Sequence, residues 1–280
     1  MRVGVLDTWL PRRYLPFWEA YLAELGAGVV RPETPFPAAL EADAPDWATP
    51  PLRAVLGRLD ELAPRVDRLL VPDAQLGVDA ERGGGQCPWV RDLAATLREL
   101  RPAAPPFWVV PAEPTEGVLG VAVALGAELA GSPPEVRRAL ARTRHLLTPP
   151  GPFALPGAAP EPAVGLAAPP YLLEEPRLYA DLLDALRPLG LGVADRPPAL
   201  LRQEGRRMGT RAVLPTDLEW AGAAHSLARR RGVRAVVLLT DDCPGLLRVA
   251  RWIRESLPAP AVVAVLGEDP AAVRAAVATG

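Results

Sequence analysis

Two cysteines, Cys87 and Cys243, are the side chains in this sequence best suited to special chemistry. Cys243 follows the apolar run Val236 to Thr240 after two acids, Asp241 and Asp242. Cys87 lies beyond the apolar run that ends at Val71-Pro72 and just before a helical pattern starting near Val90. In parallel α/β sheets, ligands bind beyond the carboxyl ends of strands, so both thiols are expected on the ligand-binding rim. Thiolates are soft ligands that can hold a metal ion or cluster. Cys87 and Cys243, one in each expected domain, are therefore candidate metal ligands converging across an interdomain cleft; the alternative is two unrelated small apolar side chains. Asp241 and Asp242 raise the pKa of a neighbouring thiol, which disfavours a nucleophile at Cys243 unless a bound cation offsets the charge. Gly83, Gly84 and Gly85 immediately precede Gln86-Cys87. Such a run lets backbone N–H groups approach an anion closely, and the three glycines are candidate cofactor-binding residues; a plain surface loop is the alternative.

Other chemistries are excluded by composition. The chain contains no Lys, so it has no Schiff-base lysine, no lysine general base and no P-loop. No G-x-G-x-x-G follows the Val3 or Val164 runs, so the dinucleotide fingerprint is missing. His145 and His225 are each isolated and read as surface or packing residues. Glu174-Glu175 and Arg229-Arg230-Arg231 read as solvated helix-end charges. A net charge of −2 gives no general attraction to nucleic acid or to an anionic membrane.

The elements that position these groups follow from apolar periodicity. Short apolar runs at Val3 to Leu6, Val29-Val30, Arg68 to Val71 and Phe107 to Val110 read as strands. They alternate with helical patterns over Pro11 to Leu25, Leu52 to Leu62, Val90 to Leu100, Glu116 to Ala130 and Glu135 to Leu147. After a Pro- and Gly-rich stretch the grammar restarts. Strands are expected at Val164 to Ala167, Gly192 to Ala194, Ala235 to Thr240 and Ala261 to Leu266. Helices are expected over Arg177 to Leu189, Asp217 to Arg231 and Leu246 to Leu257, with another beginning at Pro270. This predicts an α/β fold: an N-terminal domain over 1–147, a linker over 148–162 and a C-terminal domain over 163–280. The segments Val3 to Val30 and Val164 to Val193 parallel each other loosely, as a duplication would leave them. Hydrophobic residues make up 49% of the chain, enough for a substantial core. The longest apolar run, Gly117 to Ala127, is shorter than the roughly 20 residues needed to span a bilayer. A cytoplasmic protein with reduced thiols and no membrane partner is expected. The 35 prolines, the many arginines and the absence of Asn fit a GC-rich genome and a thermophilic source equally well.

The order of several short motifs resembles the 2-hydroxyacyl-CoA dehydratase family, in particular its activase-associated branch. Val3-Gly4-Val5-Leu6, Tyr14-Leu15-Pro16-Phe17-Trp18 and Glu24-Leu25-Gly26 are similar to the family's opening strand, its Y-x-P-F-W helix and its E-L-G step. Val66-Asp67-Arg68-Leu69-Leu70-Val71-Pro72, Cys87-Pro88 and Thr240-Asp241-Asp242-Cys243 are similar to its later motifs. The resemblance implies two Rossmann-like domains with largely parallel sheets flanked by helices. It also implies a 4Fe-4S cluster on three cysteines and a partner ATPase that delivers an electron for radical dehydration. Two departures stand out. The family's first cysteine step reads Thr49-Pro50-Pro51-Leu52-Arg53 here, which puts Thr49 at a cysteine position. The family's C-G-x-D step reads Cys243-Pro244-Gly245-Leu246.

Three functions are consistent with these readings. The first is an accessory, non-catalytic relative with an incomplete iron–sulfur site in the interdomain cleft, binding an activase ATPase or a dehydratase subunit. The second is an iron–sulfur redox protein with its cluster on Cys87 and Cys243, shared across a homodimer. The third is an α/β protein that binds a small metabolite or nucleotide.

Overall fold

The structure is a computed structural model that describes residues 1–74, 88–113, 117–209 and 214–279. Its described residues fall into two compact units. The first holds Met1–Ala48 and the described residues from Leu52 to Pro150; the second holds Thr49–Pro51 and the described residues from Gly151 onward.

The first unit alternates strand and helix: β1 (Arg2–Val5), α1 (Pro11–Glu24), β2 (Gly28–Val30), α2 (Phe36–Ala39), α3 (Pro50–Leu62, all but its first two residues), β3 (Arg68–Asp73), α4 (Pro88–Arg91), α5 (Leu93–Leu100), β4 (Phe107–Pro111), α6 (Gly117–Leu129) and α7 (Pro133–Thr143). The strands form one parallel sheet in the order β2-β1-β3-β4, with Val3 opposite both Val29 and Arg68. The continuous apolar character of β1 and β3 follows from burial on both faces. One face of the core is aromatic: Phe17, Trp18 and Tyr21 of α1 pack on Val3, Leu70 and Val110. The phenols in that core satisfy their hydroxyls on backbone. Tyr14 donates to the Leu6 carbonyl at 2.6 Å, and Tyr21 to that of Ala122 at 2.7 Å. The helix expected over Val90 to Leu100 is divided. Asp92 leaves the helical path, and its carboxylate accepts from the Ala95 N–H at 2.9 Å to cap α5.

The second unit repeats the plan with β5 (Val164–Ala167), α8 (Pro170–Leu173), α9 (Ala180–Leu186), β6 (Leu191–Gly192), α10 (Pro198–Arg207), α11 (Pro215–Ala228), β7 (Ala235–Thr240), α12 (Pro244–Ser256), β8 (Ala261–Val265) and α13 (Pro270–Thr279). Its sheet is again parallel, in the order β6-β5-β7-β8, so the two units share one strand order. The fold is α/β, with two four-stranded parallel sheets flanked by helices, consistent with two Rossmann-like domains. α10 has no counterpart among the elements expected from periodicity. It packs against α11 with backbone almost touching backbone, because Gly205 and Gly222 carry no side chains at the crossing. A Cβ on Gly222 would lie 1.8 Å from the Leu201 carbonyl oxygen, and one on Gly205 would lie 2.0 Å from that of Leu218. The proline-rich segment before β5 is tied to the second unit: Ala159 donates to the Leu191 carbonyl at 2.7 Å, and Arg230 donates to that of Pro160 at 2.9 Å. Among the described residues, no helix is long and apolar enough to cross a membrane.

Candidate functional site

In each sheet the chain leaves the central pair of strands in opposite directions, which opens a crevice at their carboxyl ends. In the second unit that pair is β5 and β7. β5 runs into Ala168-Pro169 and then α8, which carries Tyr171; β7 runs into Asp241-Asp242-Cys243 and then α12. Cys243 is the N-cap residue of α12. The Asp241 carboxylate accepts from the Cys243 N–H at 3.0 Å, which fixes this turn.

Three acidic groups gather around the crevice. Asp241 is fully buried, and burial pushes its pKa up to about 6. The Cys243 N–H and the nearby Thr49 hydroxyl pull it partly back, while exposed Asp242 pushes it up. Asp217, in the first turn of α11, is also fully buried, and neither of its carboxylate oxygens has a hydrogen-bond partner among the described residues. Burial alone pushes its pKa up to about 7. The Tyr171 phenol is held well above its ordinary value, first by burial and then by the negative charges of Asp241 and Asp217. The site can therefore hold protons on carboxyl groups near neutral pH, where exposed aspartates are ionised.

Thr49 is 4% exposed. Its hydroxyl sits beside Asp241, although the two do not meet in a well-formed hydrogen bond. Cys243 is disulfide-bonded, where reduced thiols are expected from the sequence. Cys87, Gly83, Gly84 and Gly85 lie outside the described residues. The donors described around this turn are a hydroxyl, a carboxylate and a sulfur already engaged in a disulfide. Among the described residues, no group of three or more His, Cys, Asp or Glu is placed to hold a metal ion. These donors do not fit a cubane, which needs thiolates that are free to bind iron.

The corresponding crevice of the first unit, between β1 and β3, is built differently. Asp7 follows β1 and pairs with buried Arg58, Nε to Oδ1 at 2.8 Å. Trp9 and Leu10 both adopt left-handed backbone conformations, φ 62° and 64°, which non-glycine residues seldom take. The Trp9 ring meets Trp89 at 4.9 Å between centroids. Arg13, in the first turn of α1, pairs with Glu113 at 2.8 Å.

Other sequence-singled residues lie elsewhere. His145 is exposed, and His225 is half-buried with Nδ1 2.8 Å from the Glu204 carboxylate. Glu175 differs from the solvated charge expected of it. It is buried, and its carboxylate accepts two bonds from Arg177, at 2.5 and 2.8 Å. Asp217 and Tyr171 are absent from the sequence-derived candidates. An acid in the first turn of a helix is common because the helix dipole favours it there, so nothing in the sequence separates Asp217 from an exposed helix-start aspartate.

No protein-family model matches the chain, and no curated protein matches it. Among solved structures, it is similar to the Ca. Korarchaeum cryptofilum dinucleotide forming acetyl-coenzyme A synthetase 1 in its apo form. The identity is 16%, over 98% of this chain and 58% of that one, with a TM-score of 0.21. The chain thus spans little more than half the length of that protein.

Proposed function

We propose that this protein is an accessory, non-catalytic relative of the 2-hydroxyacyl-CoA dehydratases, in which the position of the iron–sulfur cluster has lost its ligand set. One observation carries the reading. Thr49, the residue at the position of the family's first cysteine, lies beside the Asp241–Cys243 turn, so a hydroxyl stands where the resemblance calls for a thiolate. A threonine hydroxyl is a poor iron ligand in competition with thiolate. Without the cluster such a protein has no route to radical dehydration. Its role is then to bind an activase ATPase or a dehydratase subunit.

The test is anaerobic reduction followed by reconstitution with iron and sulfide. The wild-type chain is expected to retain no stoichiometric iron or sulfide, and Thr49→Cys to gain both together with visible iron–sulfur absorption. A wild-type chain that assembles a stoichiometric cluster would overturn the proposal in favour of an iron–sulfur redox protein. A Thr49→Cys chain that gains nothing would remove Thr49 from the ligand position.

A further inference from the structure

With no Lys in the chain, every strong side-chain cation is a guanidinium, and four of them gather in one place. A cavity of about 470 Å³ is formed by the loop after β6 and the last turns of α10 and α11. Arg196, Arg207, Arg229 and Arg230 line it with only two acids, Asp195 and Glu204. The acids are already engaged. Asp195 holds Arg230 at 3.4 Å, while Glu204 holds Arg207 at 3.2 Å and lies 2.8 Å from His225 Nδ1. Arg230 is steadied further by the Pro160 carbonyl. The guanidinium groups of Arg196 and Arg229 have no hydrogen-bond or ion-pair partner among the described residues, and both residues are exposed.

The cavity wall thus carries two positive charges in excess of its carboxylates. The carboxyl ends of α10 and α11 offset about half a charge each, which leaves roughly one full charge uncompensated. Helix capping therefore explains part of this cluster and leaves the rest. A guanidinium presents planar paired donors that match phosphate oxygens two at a time.

We propose that this cavity binds a phosphate-bearing small molecule. Arg196 and Arg229 grip its phosphoryl oxygens, and Arg207 and Arg230 form the fixed wall behind them. The site shares no residue with the Thr49–Asp241–Cys243 turn, so it stands whether or not the accessory reading holds.

Calorimetric titration with sodium pyrophosphate at constant ionic strength tests it. The wild-type chain is expected to bind saturably, and Arg196→Gln/Arg229→Gln to bind at least tenfold more weakly. Arg251→Gln/Arg254→Gln removes the same charge from exposed positions on α12, and is expected to bind like wild type. Because all four side chains are exposed, the variants keep their cores; circular dichroism verifies the fold. No saturable binding by wild type, undiminished binding by Arg196→Gln/Arg229→Gln, or equal weakening in both double variants would each overturn the proposal.

Discussion

Replacing Asp217 by Asn removes an ionisable group that the fold buries completely without giving it a hydrogen-bond partner among the described residues. Its pKa rises from the ordinary 3.8 to about 7. In the unfolded chain the same carboxyl ionises near 3.9. Below about pH 4 both states are protonated, and the carboxyl adds no pH dependence. Between about pH 4 and 7 the folded state keeps a proton that the unfolded chain has released, so stability falls as pH rises. The slope is about 1.4 kcal/mol per pH unit. Over the three-unit gap the loss accumulates to about 4 kcal/mol and levels off above pH 7. Asn keeps the shape and cannot ionise. Asp217→Asn should therefore match wild type near pH 4 and exceed it by up to about 4 kcal/mol at pH 8. Urea unfolding followed by circular dichroism across this range, wild type beside variant, gives the difference directly, and the contributions of all other groups cancel. If the two curves run parallel, or if Asn is the less stable at pH 8, the carboxyl is ionised in the fold and the reasoning fails.

Cys243 should resist iodoacetamide in the untreated protein and become alkylated only after reduction, as read by peptide mass spectrometry; labelling before reduction contradicts the disulfide at that residue. Gly222→Ala should destabilise the second unit by about 3 kcal/mol, since its methyl group would lie 1.8 Å from a backbone oxygen that cannot step aside. A melting temperature equal to wild type would show that the α10–α11 crossing is looser than described. Gly131→Ala should instead be tolerated, because an added Cβ there meets nothing within 4 Å, and the same melting experiment provides that control.

The α/β class and most of the alternation could be read from periodicity alone. Parallel strands buried on both faces are short continuous apolar runs, as at Val3 to Val5 and Ala235 to Thr240. Helices that cover them must place apolar residues every three or four positions, as Leu15, Trp18 and Leu22 do in α1. α10 escaped because its contact with α11 is made by backbone through Gly205 and Gly222 rather than by an apolar stripe. Local chemistry also fixed the positions of Asp241 and Cys243 after β7, since a polar turn must follow a buried strand that ends at the rim of a parallel sheet.

The tertiary structure alone decided which polar groups are buried and what they meet. Asp217 and Glu175 look like ordinary helix-associated acids in the sequence. One is sealed without a hydrogen-bond partner among the described residues and the other is locked to Arg177, because burial depends on which elements pack over a residue and not on its neighbours in the chain. The placement of Thr49 beside Asp241, far later in the sequence, likewise exists only in the fold. Periodicity reports which face of an element is apolar; it carries no information about which distant loop completes the site.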